Sequence, residues 1–287
     1  MTMKFRKPNV RFLVLILVTA VLLAAVGLFC YRGDWRYRVA LRFRTYPPLQ
    51  LTEAPSPAGN PLSFAELLSD ARTVQSDSLI LVNPNHPLPA GYEPALIETD
   101  GLLISDRALS AFRELNEMIT EATGTRLYIR SAYRSAEEQA TEAAQNGEYA
   151  AKPGESEHGT GLALDVCVAG YGGMSFLKTK AGRLTCDRCA EYGFIVRYPS
   201  GKENVTGVPY EPWHLRYVGK IHAGLMAESG LSLEEYLHAL TPEVWYRTAD
   251  GAWILRTASE EIVLPESEWS RCEISPDHLG YRIVTIE

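Results

Sequence analysis

Cysteine is scarce in this chain, and basic residues are scarce in most of it. The five cysteines are Cys30, Cys167, Cys186, Cys189 and Cys272. No second C-x-x-C follows the Cys186-x-x-Cys189 pair, which argues against a zinc knuckle. The surrounding TCDRCAEYGF reads as the end of an amphipathic helix, so these thiols are expected to be structural, with any disulfide connectivity left open. Up to Arg44 there are nine Lys or Arg against one acid, Asp34, while the rest holds 19 basic against 34 acidic residues, a net of −15. That deficit excludes a nucleic-acid partner for the folded part, because phosphate binding needs a basic surface. The sequence has no internal repeat. Hydrophobic content of 46% and charged content of 22% exclude disorder as its main theme.

Residues 12–31 form an uninterrupted apolar run, FLVLILVTAVLLAAVGLFCY, about the length a helix needs to cross a bilayer. It exceeds the core of a cleavable signal peptide, and no A-x-A-like site follows it. Phe29 before Cys30 argues against lipidation. The run is therefore expected to be an uncleaved transmembrane signal anchor behind a short basic N-terminus, residues 1–11. Basic residues flank it on both sides, so charge does not decide the topology.

Residues 32–74 are expected to be a juxtamembrane and proline-rich spacer, given Pro47, Pro48, Pro55, Pro57 and Pro61, with a short helix over 64–72. Residues 79–83, LILVN, read as a buried strand. Apolar positions at helical spacing predict a helix over 105–123, stopped by Gly124. Strands follow over 126–130, 161–168, 194–198 and 213–218. Ser135 with Glu138 opens a helix ending near Gly147, and Ser232 with Glu235 opens another that Pro242 ends. The tail, 241–287, carries short antiparallel strands. The fold class is thus α+β, with a catalytic body over 75–240 and a small β appendage.

Three segments carry chemistry: SAYRSAEEQ at 131–139, SEHGTGLALDV at 156–166 and EPWHLRYVG at 211–219. Together they supply two imidazoles and a carboxylate, His158, Asp165 and His214, with Glu211 three residues before the last histidine. Catalytic zinc takes three such ligands and keeps a fourth position for water. Strand alternation puts Asp165 on the face opposite Leu164 and Val166. Glu211 suits a base better than a fourth ligand.

These segments resemble the VanY-type D-Ala-D-Ala carboxypeptidases, zinc peptidases that share the hedgehog fold, an antiparallel sheet with flanking helices. The pattern S-x-H-x-x-G-x-A-x-D falls on Ser156, His158, Gly161, Ala163 and Asp165. E-x-W-H falls on Glu211, Trp213 and His214, and Y-R-S-x-x-x-Q on Tyr133, Arg134, Ser135 and Gln139. The resemblance runs from about residue 79 to 240. It implies one Zn²⁺ on His158, Asp165 and His214, and Glu211 as the base that activates water. It implies Arg134 as the group that grips the substrate carboxylate or oxyanion. Ser156, Gln139, Ser135, Tyr133 and Trp213 would line the substrate, and Arg130 is a rival to Arg134. The implied substrate is the peptidoglycan stem peptide, and the implied location is the cell membrane, with the catalytic domain outside. An L,D-carboxypeptidase, a cross-link endopeptidase and a non-catalytic wall-binding module are the alternatives; retention of Glu211 with all three ligands argues against the last. His86, His222, His238 and His278 match no motif and are read as structural.

Overall fold

The computed structural model describes residues 10–31, 33–146, 151–265 and 269–287. Helices α1 (Val10–Tyr31) and α2 (Gly33–Arg42) come first, then strands β1 (Thr52–Ala54) and β2 (Leu62–Ser63), helix α3 (Phe64–Ser69) and strand β3 (Thr73–Gln75). The hairpin β4 (Ile97–Thr99) and β5 (Leu102–Ile104) leads into α4 (Asp106–Thr123), followed by β6 (Tyr128–Ser131), α5 (Ala136–Asn146) and β7 (Ala163–Cys167). After α6 (Lys180–Arg188) come β8 (Phe194–Val196), α7 (Glu203–Thr206), β9 (His214–Tyr217), α8 (Lys220–Ser229) and α9 (Leu233–Ala239). Strands β10 (Trp245–Arg247), β11 (Trp253–Thr257), β12 (Glu261–Ile262), β13 (Cys272–Pro276) and β14 (Arg282–Ile286) complete the chain.

The sheet that matters for chemistry is antiparallel, in the order β6-β7-β9-β8. Leu164, Val166, Leu215 and Phe194 bury one face against the apolar stripe of α4, from Ala108 and Leu109 through Phe112 and Leu115 to Ile119. The helix stops where the sequence predicts, because Gly124 takes a left-handed φ of 70° and its N–H donates to the Thr120 carbonyl. Asn116, buried in α4, clamps the next turn: its Oδ1 accepts the Leu127 N–H at 2.8 Å and its Nδ2 donates to the Leu127 carbonyl at 3.2 Å. Both expected capping boxes form, Ser135 with Glu138 and Ser232 with Glu235. The expected end of the first of these helices, at Gly147, lies outside the described residues.

The buried stretch 79–83 is not a strand. Leu79, Ile80, Leu81 and Val82 are all buried, but the carbonyls of Asp77, Ser78 and Ile80 converge on one guanidinium, that of Arg216, at 3.3, 3.2 and 3.0 Å. A side chain thus satisfies backbone groups that a neighbouring strand would otherwise bond.

A second sheet, β1-β10-β11-β14-β13-β3, has six strands. Two of them come from the region read as spacer: β1 pairs with β10 antiparallel and β3 with β13 parallel. The proline-rich region therefore does not hang free between helix and body.

Helix α1 covers the run read as an anchor. Among the described residues, however, no helix is long and apolar enough to cross a membrane. The stretch with described side chains, 13–27, is shorter than the roughly 20 residues a crossing takes. The fold thus gives the transmembrane expectation no support. Cys167, Cys186, Cys189 and Cys272 are free thiols.

Candidate active site

His158 sits in a short 3-10 turn, Glu157–Thr160, capped by Ser156, whose Oγ accepts the His158 N–H at 3.4 Å. The turn closes at Gly161, at φ 69°, where a Cβ would collide with Leu96. From there β7 carries Asp165 directly opposite His214, the first residue of β9. Asp165 also faces Ser131 across a bulge that leaves Arg130 without a cross-strand partner. Sheet register, together with one tight turn, thus brings the three residues to one point.

Their donor atoms all lie within 4.8 Å of one another. His158 Nε2 is 3.4 Å from Asp165 Oδ2, and His214 Nδ1 is 3.1 Å from Asp165 Oδ1. Ligands about 2.0–2.1 Å from a tetrahedral zinc stand roughly 3.3 Å apart, so these contacts have the length of a coordination polyhedron's edge. Asp165 Oδ1 is buried with no hydrogen-bond partner, as a ligand atom would be. The Nδ1–H of His158 donates to the Ala132 carbonyl at 2.5 Å, which leaves Nε2 free as a donor to a metal. Two imidazoles and one carboxylate with these open atoms fit a zinc ion.

Glu211 lies beside this set, with Oε2 3.8 Å from His214 Nδ1. The backbone fixes it from both sides: its N–H donates to the Tyr198 carbonyl at 3.0 Å, and its carbonyl accepts the His214 N–H at 3.1 Å. Burial pushes its carboxyl above the ordinary carboxylate range, against the pull of His214. Burial alone would lower His214, but Asp165 and Glu157 outweigh it and raise the imidazole to about 9 in the metal-free protein. Burial lowers His158.

A cleft of about 390 Å³ opens here, lined by Arg130, Ser131, Arg134, Glu142, Asp165, Val166, Gly173 and Trp213. The Arg134 Nε is buried and has no hydrogen-bond partner, while its backbone N–H donates to the His158 carbonyl at 3.2 Å. Arg130 is exposed. Ser156, Ser135, Gln139 and Tyr133 are not among the cleft-lining residues. Ser135 spends its hydroxyl on the α5 cap, and Gln139 donates its amide to the Ala151 carbonyl at 2.6 Å.

Behind the cleft lies a network that the motifs do not include. Glu157 is fully buried, and its Oε1 accepts the Nε–H of Arg197 at 2.6 Å and stands 3.0 Å from Arg216 Nη1. Arg197 is held in turn by Glu234 through two contacts at 2.8 and 2.6 Å. Burial would raise the Glu157 carboxyl, but the two guanidinium groups overcome it and hold it well below the usual range. One sequence signal pointed here: FIVRYP and WHLRYVG each set a lone arginine inside an apolar strand, which requires a buried partner.

A buried three-donor set with an unused carboxylate at its rim and a cation in the adjoining cleft defines the class of metal-dependent hydrolases. The model of the VanY family, described as D-alanyl-D-alanine carboxypeptidase, matches residues 101–220. A D-alanyl-D-alanine carboxypeptidase of Enterococcus faecalis is 33% identical over 71% of this chain and 83% of its own length. Among solved structures, the vancomycin resistance D,D-dipeptidase VanXYg, in complex with a D-Ala-D-Ala phosphinate analogue, superposes with a TM-score of 0.57 at 31% identity. That match covers 73% of this chain and 93% of that one. The LdcB LD-carboxypeptidase gives a TM-score of 0.52 at 37% identity, over 56% of this chain and 86% of that one. The chain belongs to the VanY D-alanyl-D-alanine carboxypeptidase family. Two further curated relatives are matched over only 66% and 60% of their own lengths.

Proposed function

We propose that this protein is a zinc-dependent D,D-carboxypeptidase that removes the terminal D-alanine from peptidoglycan stem peptides. The observation that carries this reading is the pairing of Glu211, beside the three-donor set, with Arg134, whose buried Nε has no partner, in the adjoining cleft. His158, Asp165 and His214 would hold one zinc ion. When bound, that ion supplies a Lewis acid that lowers the pKa of a coordinated water to about 7. Glu211, kept apart from the donor set and raised by burial, holds the proton taken from the attacking water and returns it to the leaving amine. Arg134 offers its planar fork to the free carboxylate of the substrate, so that only a chain end is gripped. Trp213 lines the cleft.

A second reading, L,D-carboxypeptidase activity on tetrapeptide stems, has a specific observation in its favour: the likeness to the LdcB LD-carboxypeptidase at 37% identity. Stem peptides lie outside the cytoplasmic membrane, and the enzyme works there, tethered by the apolar residues 12–31. The support for that tether is the apolar sequence of residues 12–31 alone.

The test is to incubate the full-length chain with tripeptide, tetrapeptide and pentapeptide stems, with and without a chelator, and to weigh the products by mass spectrometry. Loss of one D-alanine from the pentapeptide, abolished by chelator and restored by Zn²⁺, is the expected result. Trimming of the tetrapeptide instead would select the second reading. Chelator-resistant turnover would end the metal mechanism.

A further inference from the structure

Two buried polar atoms next to the donor set have no hydrogen-bond partner and face each other: Glu157 Oε2 and His214 Nε2, 3.8 Å apart. An unsatisfied buried polar atom costs on the order of 1–3 kcal/mol. A movement of about 1 Å would bring this pair to hydrogen-bonding distance and satisfy both. The other nitrogen of the same ring, Nδ1, points at Asp165 and Glu211, where a metal would sit. An imidazole can ligate only through a nitrogen that carries no proton, so its proton must go to Nε2.

We propose that Glu157 is a positioning residue for the metal centre: its Oε2 accepts the Nε2–H of His214 and so frees Nδ1 to ligate. The two histidines then ligate through opposite nitrogens, each fixed from behind. His158 presents Nε2 because its Nδ1–H donates to the Ala132 carbonyl, and His214 presents Nδ1 because its Nε2–H is aimed at Glu157. The carboxylate cannot swing away, because its other oxygen is held by Arg197 and faces Arg216. Arg197 is anchored on Glu234, and Arg216 on the carbonyls of Asp77, Ser78 and Ile80. A chain of charges from Glu234 on α9 through Arg197, just after β8, thereby sets the orientation of one ligand on β9. Were Glu157 only a counter-ion for the two arginines, nothing would require its second oxygen to face an imidazole nitrogen.

The inference rests on the metal-site reading above, and the experiment separates the two. Full-length chain labelled with ¹⁵N-histidine is titrated with Zn²⁺ alone, and the tautomer of each ring is read from two-bond ¹H–¹⁵N couplings. The expected spectrum has His214 protonated at Nε2, with Nδ1 shifting as zinc is added. Zinc bound through Nε2 of His214, with the proton on Nδ1, would overturn the proposal and leave the metal site standing. No histidine shift at any zinc concentration would overturn both.

Glu157→Gln gives a second reading. Its amide oxygen can still face the arginines, but its NH₂ then opposes the His214 N–H, donor against donor. Zinc affinity, measured by competition with a chromogenic chelator, should fall about 10- to 100-fold, as for other groups that orient a ligand from behind. Glu234→Gln, which loosens Arg197 but leaves Glu157 facing the ring, should retain more affinity than Glu157→Gln. A folded Glu157→Gln chain that binds zinc as tightly as the wild type would sink the assignment. Should the variant fail to fold, the wild-type spectrum still decides.

Discussion

Arg134 and Arg130 stand four residues apart beside one cleft, and burial distinguishes them. The Arg134 Nε is buried without a partner, so desolvation has been accepted for a contact that only a ligand can complete. Arg130 occupies the bulge of β6, is exposed, and keeps its hydration. Arg134→Ala should therefore lower kcat/KM for a free-ended peptide about 100- to 1,000-fold, the usual loss for a donor aimed at developing charge. Arg130→Ala should cost about fivefold or less, as expected for an exposed charge. Steady-state kinetics on the pentapeptide distinguishes them, and equal losses would assign the carboxylate grip to both. Glu211→Gln keeps the donor set and its backbone bonds while removing the base. Turnover should fall about 100- to 10,000-fold with zinc content unchanged by metal analysis; full activity would remove Glu211 from the mechanism.

The same scale shows which residues a sequence can reveal. The convergence of His158, Asp165 and His214, with Glu211 beside them, is legible because their spacing follows from local geometry, a tight turn, a strand and a Pro-stiffened corner. Glu157 lies between two motif positions; the lone arginines of FIVRYP and WHLRYVG call for a buried acid without saying which, since tertiary folding alone brings Arg197 and Arg216 to Glu157 and Glu234 to Arg197. Ser135 and Gln139, which the motif suggested as substrate contacts, instead cap and tie down α5.

At the scale of elements, α4, the two capping boxes and the antiparallel core strands were legible because 3.6-fold and twofold periodicities write them directly. Residues 79–83 read as a strand because an apolar run reports burial without saying what satisfies its backbone, here scattered partners: Arg216 for the Ile80 carbonyl, Ser275 Oγ for the Leu79 N–H and the Asp277 carbonyl for the Leu81 N–H. His222, which matches no motif, joins α8 to the second sheet. Its Nδ1 lies 2.7 Å from the Tyr236 hydroxyl and its Nε2 2.8 Å from Thr285 Oγ1. Burial lowers its pKa to about 4 from the ordinary 6.5. Between those values the unfolded chain binds a proton that the folded one refuses, so this contribution to stability is complete above pH 6.5 and declines as pH falls to 4. The total is on the order of 3 kcal/mol. Urea unfolding measured across that window should show the slope in the wild-type chain and a shallower one in His222→Gln, which cannot titrate. Identical slopes would place the acid sensitivity elsewhere.

At the scale of the whole molecule, the chain closes on itself. Strands that precede the catalytic body in sequence, β1 and β3, form the two edges of a sheet whose interior is made by β10, β11, β13 and β14 from its end. Composition could not reveal this, because Pro47, Pro48 and Pro55 punctuate the segment as they would a linker, and short edge strands tolerate such neighbours. Leu49 and Leu51, just before β1, pack against the core built by α8, α9 and the second sheet. Helix α2 is docked more lightly, with the Tyr37 hydroxyl donating to Asp187 Oδ1 at 2.9 Å at an exposed site. The two parts of the N-terminal region should therefore differ when removed. A chain beginning at residue 45 loses α1 and α2, and because no α2 side chain is fully buried its midpoint in urea should fall less than that of a deeper truncation. A chain beginning at residue 56 also loses β1, Leu49 and Leu51 and bares the edge of β10. Burying even part of two leucine side chains is worth about 2 kcal/mol or more, so that truncation should unfold at distinctly lower urea and aggregate more readily through the open edge. Equal midpoints for the two truncations would mean that residues 45–55 are a tether after all, and that the pairing of β1 with β10 contributes nothing to holding the molecule together.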